Sequence, residues 1–317
     1  MTAETDERPV VVMTESGDVD PGAGVALLEQ NGFEVVVLTG ALPLSSGSAR
    51  SGGGWRNAVA AIIGLAPFGA AEMDRLPALR LIATTSTGVD MVDERAAAER
   101  GIEVVGLGGV ATREVATHTL ALILTSLREL QAGVDVVRGG GWTSELTVTP
   151  PDVGRLVLGL VGFGRIARET ARLARPLFER IVATDPFVTE SENGVELMAF
   201  DTLLDVADVV SLHLPATADT RRLIGERAMA RLRPGALLVN ASRAEIVDSA
   251  AVLDALESGR VSRYAADVLD GEPPAADDPL RSHPRAIVTP HMGFLSTSSL
   301  QRYELDPART IIERLAR

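Results

Sequence analysis

Residues Gly159-Leu160-Val161-Gly162-Phe163-Gly164-Arg165-Ile166-Ala167 constrain this chain more than any others. They hold Gly162-x-Gly164-x-x-Ala167 directly after the apolar run Leu156–Val161, and the Arg/apolar segment Ile166–Leu177 that follows reads as a helix. Strand, glycine turn and helix in that order are the setting a dinucleotide-binding fingerprint requires. Gly162 permits the tight turn, Gly164 lets backbone approach a pyrophosphate, and the small Ala167 lets helix pack on strand. The helix N-terminus offers unpaired N–H groups and partial positive charge to phosphates. A plain tight βα turn carries the same glycines, so a second signal is needed.

That signal is Asp185. It ends the apolar run Arg180–Thr184 and lies 23 residues beyond Gly162 (185 − 162). A carboxylate at the tip of the second strand is suited to a ribose 2′-hydroxyl. It argues for NAD over NADP, because a 2′-phosphate beside it meets like-charge repulsion of roughly 4 kcal/mol per charge pair at short range. The next residues, Pro186-Phe187, supply no cation to offset that repulsion. Asp185 also reads as a turn-starting Asp before Pro.

At 317 residues the chain has room for two domains. With net charge −13 and every one of its 30 basic residues an Arg, it repels nucleic acid and anionic membranes as a whole. The absence of Cys excludes disulfides, thiolate metal sites and a Cys nucleophile, and no metal site is expected. The acidic, polar N-terminus is no signal peptide, and apolar stretches such as Leu120–Leu124 are far too short to span a membrane. A cytoplasmic enzyme is the expectation.

Strands are expected at Pro9–Met13, Phe33–Leu38, Ala58–Leu65, Leu79–Thr84 and Ile102–Val105, with helices at Gly24–Gln30 and Glu94–Arg100 and a flexible loop at Ser45–Gly54. Alternation of buried strands and helices argues for a parallel sheet. Thr112–Leu130 reads as one long helix, closed off by Gly139-Gly140-Gly141-Trp142. A second α/β unit follows, with strands at Leu156–Val161, Ile181–Thr184, Val209–His213, Ala236–Asn240 and Ser262–Asp267; after Ile287–Thr289 the sequence closes on a C-terminal helix at Leu305–Leu315.

Polar segments stand at the strand ends of this second unit, where open α/β sheets bind ligands. They are Ser211-Leu212-His213-Leu214-Pro215 with Thr220, Asn240-Ala241-Ser242-Arg243-Ala244, Asp267 through Pro273, and Thr289-Pro290-His291-Met292-Gly293. Arg, Glu and His converging there suit reduction of a 2-keto acid. Arg243 can clamp a carboxylate and stabilise charge growing on the adjacent carbonyl oxygen. His291 can hand that oxygen a proton, and Glu272 behind it favours the imidazolium and fixes the ring. His213 reads as structural or on the cofactor side, His118 as packing at the domain boundary, and His283 as solvated.

With these motifs in order from about Ile82 to Gly293, the chain resembles the D-isomer-specific 2-hydroxyacid dehydrogenase family. The resemblance implies an α/β fold of two Rossmann-like, doubly wound parallel-sheet domains separated by a cleft. A substrate domain would comprise residues 1–108 and 287–317, and an NAD-binding domain residues 109–286. It implies Arg243, Glu272 and His291 as catalytic residues. Thr87-Gly88-Val89-Asp90 would form a substrate loop whose backbone N–H groups hold a carboxylate, with Arg243 and His291 also on the substrate. Gly162, Gly164, Arg165, Ile166, Asp185, Leu214, Pro215, Thr220, Ala241, Arg243, Asp267, His291 and Gly293 would line NAD.

The family also implies a homodimer, at which the Gly139–Trp142 segment hints as an exchanged arm. The chain after His291 is too short for the regulatory C-terminal domain of some phosphoglycerate dehydrogenases. Three positions depart from many relatives. Ala244 replaces a Gly after the Arg, Thr117 replaces a Glu, and Phe294 stands where small residues are common and suggests an altered pocket mouth. The expected activity is hydride transfer between NAD(H) and a small 2-keto or 2-hydroxy acid. A catalytically idle NAD-sensing regulator on the same fold is the alternative. A hydrolase is excluded, since no G-x-S-x-G elbow is present.

Overall fold

The computed structural model describes residues 8–14, 20–38, 53–64, 66–192 and 194–315. Most of the expected Ser45–Gly54 loop therefore lies outside the described residues. The chain forms two compact units, one of Met1–Ala111 with Ser296–Arg317 and one of Thr112–Leu295.

The first unit runs β1 (Val10–Thr14), α1 (Gly22–Gln30), β2 (Glu34–Leu38), β3 (Ala58–Ile63), α2 (Ala70–Met73), β4 (Leu81–Thr84), α3 (Glu94–Glu99) and β5 (Glu103–Val105). The second runs α4 (Thr112–Leu127), α5 (Leu130–Arg138), β6 (Val157–Val161), α6 (Arg165–Ala174), β7 (Arg180–Thr184), β8 (Glu196–Leu197), α7 (Phe200–Val206) and β9 (Val209–Leu212). It continues through α8 (Glu226–Arg231), β10 (Ala236–Asn240), α9 (Ser249–Glu257), β11 (Val261–Ala266), α10 (Pro279–Ser282) and β12 (Ala286–Val288). The chain then returns to the first unit in α11 (Thr297–Leu315).

Both sheets are parallel throughout, ordered β2-β1-β3-β4-β5 and β12-β11-β10-β9-β6-β7-β8. Each is covered on both faces, which is why the strands read as nearly unbroken apolar runs. In the first, Val10, Val12 and Ile82 face α2 and α3 while Val11, Ile62 and Leu81 face α1 and α11. In the second, Leu158, Leu160 and Val239 pack under α4 and α6, and Val161, Leu238 and Tyr264 under α7, α8 and α9. These are two α/β parallel sheets of the Rossmann-like kind.

Three boundaries differ from the sequence reading. The long helix expected over Thr112–Leu130 breaks after Leu127, and a second helix, α5, starts at Leu130. Glu129 between them has φ +54, in the left-handed region, and its carboxylate forms an ion pair with Arg263 of β11. The residue at the break is thus tied to one far along the chain, and no local pattern announces it. The C-terminal helix begins at Thr297 instead of Leu305, because Ser296 caps it by accepting the Ser299 N–H at 3.0 Å. Pro307 sits inside it and removes one helical hydrogen bond, while Ala308 and Ile311 anchor it in the core.

The third difference concerns residues 287–295, which the sequence reading gave to the first domain. They group with the second unit. Strand β12 pairs with β11 in the register Tyr264↔Ala286, Ala265↔Ile287 and Ala266↔Val288, which completes that sheet.

Candidate functional site

The strand order of the second sheet reverses between β6 and β9, and Gly162 stands at that switch point. Its φ is +89, and its N–H donates to the Thr184 carbonyl at 2.8 Å. A Cβ there would lie 2.5 Å from the His213 carbonyl oxygen, so only glycine fits. Gly164 caps α6 in extended conformation, and a Cβ on it would meet nothing within 4 Å, so the space over the first turn is open. Arg165 and Ile166 open that helix, and Ala167 is buried against the core beneath it. A steric notch, an open helix start and a carboxylate at the neighbouring strand tip fit a dinucleotide pyrophosphate and ribose.

The carboxylate is Asp185, just past β7. One oxygen accepts the Phe163 N–H and the other the Phe187 N–H, both at 2.8 Å. The group is thus locked in orientation, with lone pairs left for hydroxyl donors. Arg168 on α6 is engaged elsewhere, donating to the Phe163 carbonyl at 3.0 Å and pairing with Glu192 at 2.6 Å. After β9, Leu214 and Pro215 enter a loop closed by Thr220, whose Oγ1 donates to the Pro215 carbonyl at 2.6 Å and accepts the Thr217 N–H at 2.8 Å.

At the end of β10 the fully buried Asn240 shapes the loop Ala241-Ser242-Arg243. Its Nδ2 donates to the Arg243 carbonyl at 2.9 Å, and its Oδ1 accepts the Ser242 N–H at 3.1 Å and the Ser242 hydroxyl at 2.8 Å. Sequence reasoning quoted Asn240 without giving it a role, and these three bonds lie within the motif. Ala244 opens the short 3₁₀ turn Ala244–Ile246 that follows.

Past β11 and β12 lie Asp267, Glu272 and His291. His291 has φ +49, a left-handed conformation uncommon for any residue but glycine. Its N–H donates to the Asp267 carbonyl at 2.8 Å, and its Nδ1 meets Glu272 Oε2 at 2.5 Å. The hydrogen bond to Glu272 raises the imidazole above its ordinary value. Burial opposes the rise, the charges of Glu272 and Asp267 add to it, and the Arg243 charge is near enough to subtract. Both side chains keep 40% of their surface, so the pair is partly screened by water. The Phe294 ring stands edge-on to His291, with centroids 6.2 Å apart.

Asp267 is 3% exposed, and its oxygens take protein donors: Thr289 Oγ1 at 2.5 Å, the Met292 N–H at 3.0 Å and the Gly293 N–H at 2.7 Å. Burial, the largest single influence, pushes this carboxyl up; donors from His118, Thr289 and Gly293 together hold it below the usual range. Its direct partner is therefore the loop that carries His291. His213 behaves oppositely to His291. Burial pushes it down to about 4, leaving a neutral imidazole beside the Ser211 hydroxyl. His283 accepts the Arg285 N–H at 3.1 Å, and Thr117 bonds back to its own helix at Arg113 and Glu114.

Thr87, Gly88 and Val89 follow β4 in the first unit. The Thr84 hydroxyl donates to the Ser86 carbonyl at 2.8 Å and the Ser86 hydroxyl to the Gly88 carbonyl at 2.6 Å. Among the described residues no acceptor takes the N–H groups of Thr87, Gly88 and Val89. Successive unpaired N–H groups make an anion-binding concavity. Gly106, just past β5, lets this loop lie close: a Cβ on it would be 2.9 Å from the Thr87 carbonyl oxygen. Sequence reasoning missed Gly106, whose signal is a glycine directly after a strand.

No group of three His, Asp or Glu among the described residues is arranged to hold a metal, and no described helix is long and apolar enough to cross a membrane.

Comparison with known proteins agrees with this geometry. Residues 120–293 match the family described as D-isomer specific 2-hydroxyacid dehydrogenase, NAD binding domain. A D-3-phosphoglycerate dehydrogenase of Archaeoglobus fulgidus is 36% identical over 217 residues, 68% of this chain but 41% of that protein. The chain thus matches less than half the length of such relatives. A glycerate dehydrogenase of Methylorubrum extorquens is 32% identical over 76% of this chain and 77% of its own. A glyoxylate reductase structure from Paecilomyes thermophila superposes with a TM-score of 0.84 at 26% identity, covering 96% of each chain. The second unit is an NAD-binding domain, and the chain belongs to the D-isomer specific 2-hydroxyacid dehydrogenase family.

Proposed function

We propose that this protein transfers a hydride between NAD(H) and a small 2-keto or 2-hydroxy acid of D configuration. The observation that carries the reading is the Glu272–His291 pair at 2.5 Å, within reach of the Arg243 charge, on the same sheet as the Gly162 turn. Gly162, Gly164, Arg165 and Ile166 would hold the pyrophosphate and Asp185 a ribose. Leu214, Pro215, Thr220, Ala241, Asp267 and Gly293 would line the rest of the dinucleotide. When bound, NAD(H) supplies or accepts the hydride.

The chain's own residues handle charge and protons. Arg243 binds the substrate carboxylate and stabilises negative charge on the carbonyl oxygen. His291, held protonated by Glu272, donates the proton that the new hydroxyl needs, and in the reverse direction it removes that proton. His213, neutral, does not serve as the donor. In the first unit, the unpaired N–H groups of Thr87, Gly88 and Val89 suit a carboxylate.

NADH consumption, with NADPH in parallel, against glyoxylate, hydroxypyruvate, pyruvate, phenylpyruvate and 3-phosphohydroxypyruvate tests this. Turnover with NADH on one of them is expected. NADH binding without turnover on any would overturn the enzyme and leave an NAD-sensing regulator.

The working form is a homodimer joined through α5 and the arm after it. Leu130, Val134 and Val137, at i, i+4 and i+7, expose 54%, 45% and 55% of their surfaces, and Trp142 exposes 71%. An unpartnered apolar stripe of this kind is suited to a second copy. Light scattering should give twice the 33.4 kDa chain mass. Val134→Arg should give the monomer, and a monomeric parent protein would overturn the dimer.

A further inference from the structure

His118 is a residue that the proposed reaction leaves unused, yet it sits in a closely bonded polar cluster of the second unit. It projects from α4, with its side chain 17% exposed. Its Nε2 lies 3.0 Å from Thr289 Oγ1 and 3.2 Å from Asp267 Oδ1. Thr289 Oγ1 and Asp267 Oδ1 are themselves only 2.5 Å apart. Two oxygens that close need a proton between them, and the hydroxyl's single proton fills that place. The imidazole must then bring its own proton on Nε2 and donate it to the Asp267–Thr289 pair.

The consequence reaches His291 from both sides. Thr289 is two residues before it, Met292 and Gly293 directly follow it, and all three donate to the Asp267 carboxylate. The Asp267 carbonyl takes the His291 N–H itself. Asp267 is therefore a clamp on the left-handed turn at His291, and among the described residues His118 is the one side chain from a helix that donates to it. Gly293 reinforces the fit, since a Cβ on it would lie 2.9 Å from Asp267 Oδ2 and 3.2 Å from the His118 ring. Such contacts do not arise from simple packing, which an apolar ring would satisfy equally.

We propose that His118 is a positioning residue: through its Nε2–H it fixes the Asp267–Thr289 clamp and thereby the aim of His291 toward Glu272. The inference rests on the acid/base reading of His291. The charged groups facing His291 are Glu272 and Asp267 from the β11 end and Arg243 from the β10 end, and each acts on its titration.

The test compares His118→Phe, which keeps a ring without the donor, with His118→Gln, whose amide N–H reproduces the Nε2 donor. Thr289→Val serves as an independent break in the same clamp. Because the chain has four histidines, imidazole NMR resonances of the cofactor-free protein can be assigned by single substitutions. In His118→Phe and Thr289→Val the His291 titration should fall toward the ordinary value. The kcat of keto-acid reduction should drop about tenfold, as misplaced catalytic groups do, with KM changing less than about twofold. His118→Gln should restore both.

An unchanged His291 titration and unchanged kcat in His118→Phe would overturn the inference and leave the enzyme reading standing. A shifted titration in a protein that turns over no keto acid would do the reverse.

Discussion

The two sheets share one plan, parallel strands covered by helices on both faces, yet their strands end differently. In the first sheet the ends are tied by neutral hydroxyls: Thr14 accepts the Gly64 N–H at 2.9 Å, and Thr84 and Ser86 donate to carbonyls of the loop after β4. Hydroxyls that bond to carbonyls leave N–H groups over, and these accumulate at Thr87, Gly88 and Val89. In the second sheet the ends are tied by carboxylates and a buried amide. Asp185 gathers the N–H groups of Phe163 and Phe187, and Asp267 those of Met292 and Gly293. There those N–H groups hold the loops after the strands, and the strand ends also carry the side chains Arg243 and His291. The contrast teaches that one sheet is suited to hold an anion with its backbone and the other to move charge with side chains.

The sharpest way to break this contrast is His291→Ala. If the second sheet moves charge through side chains, turnover should fall on the order of 10²–10⁴-fold while NADH binding, read by fluorescence titration, stays nearly intact. Near-normal turnover would remove His291 from the chemistry.

The pH profile sharpens the same point at lower cost in rate. Glu272 raises the His291 imidazole, so the proton donor persists to higher pH than an ordinary histidine. Reduction should be fast below the raised value and fall as pH climbs through it. Glu272→Gln removes the largest upward influence, so the falling limb should move to lower pH. A limb that stays in place would mean that another group sets it. The same sign governs folding. A raised imidazole contributes stability below its unfolded value and loses it as pH rises through the folded one.

Fold class was legible in the sequence because both faces of each sheet are buried and the strands therefore stand out as apolar runs. The strand ends were legible too: Gly162, Asp185, Asn240, Asp267 and Thr289 each directly follow or close a run that reads as a strand. What stayed hidden depends on partners far apart in the chain. Glu129, where the helix breaks, pairs with Arg263, 134 residues away. His118 reads as packing because its partner Thr289 lies 171 residues on, in a different motif. The boundary at residue 287 is what the resemblance implies, whereas the pairing of β12 with β11 groups residues 287–295 with the second unit. The α5 stripe was missed for the opposite reason: its apolar residues are exposed, and a pattern of buried and exposed positions gives no signal there.

The smallest expected effect tests the first sheet, through the backbone of the loop after β4. Gly106→Ala would put a Cβ 2.9 Å from the Thr87 carbonyl oxygen and 3.1 Å from Val89 Cγ1, so the loop must shift. Backbone contacts of this kind cost roughly 1–3 kcal/mol when overpacked. If the N–H groups of that loop hold a carboxylate, KM for the keto acid should rise several-fold, with kcat less affected and NADH affinity unchanged. The split matters more than its size. A fall in kcat at constant KM would mean that the loop acts in the transition state, and that the division between a holding sheet and a reacting sheet is wrong.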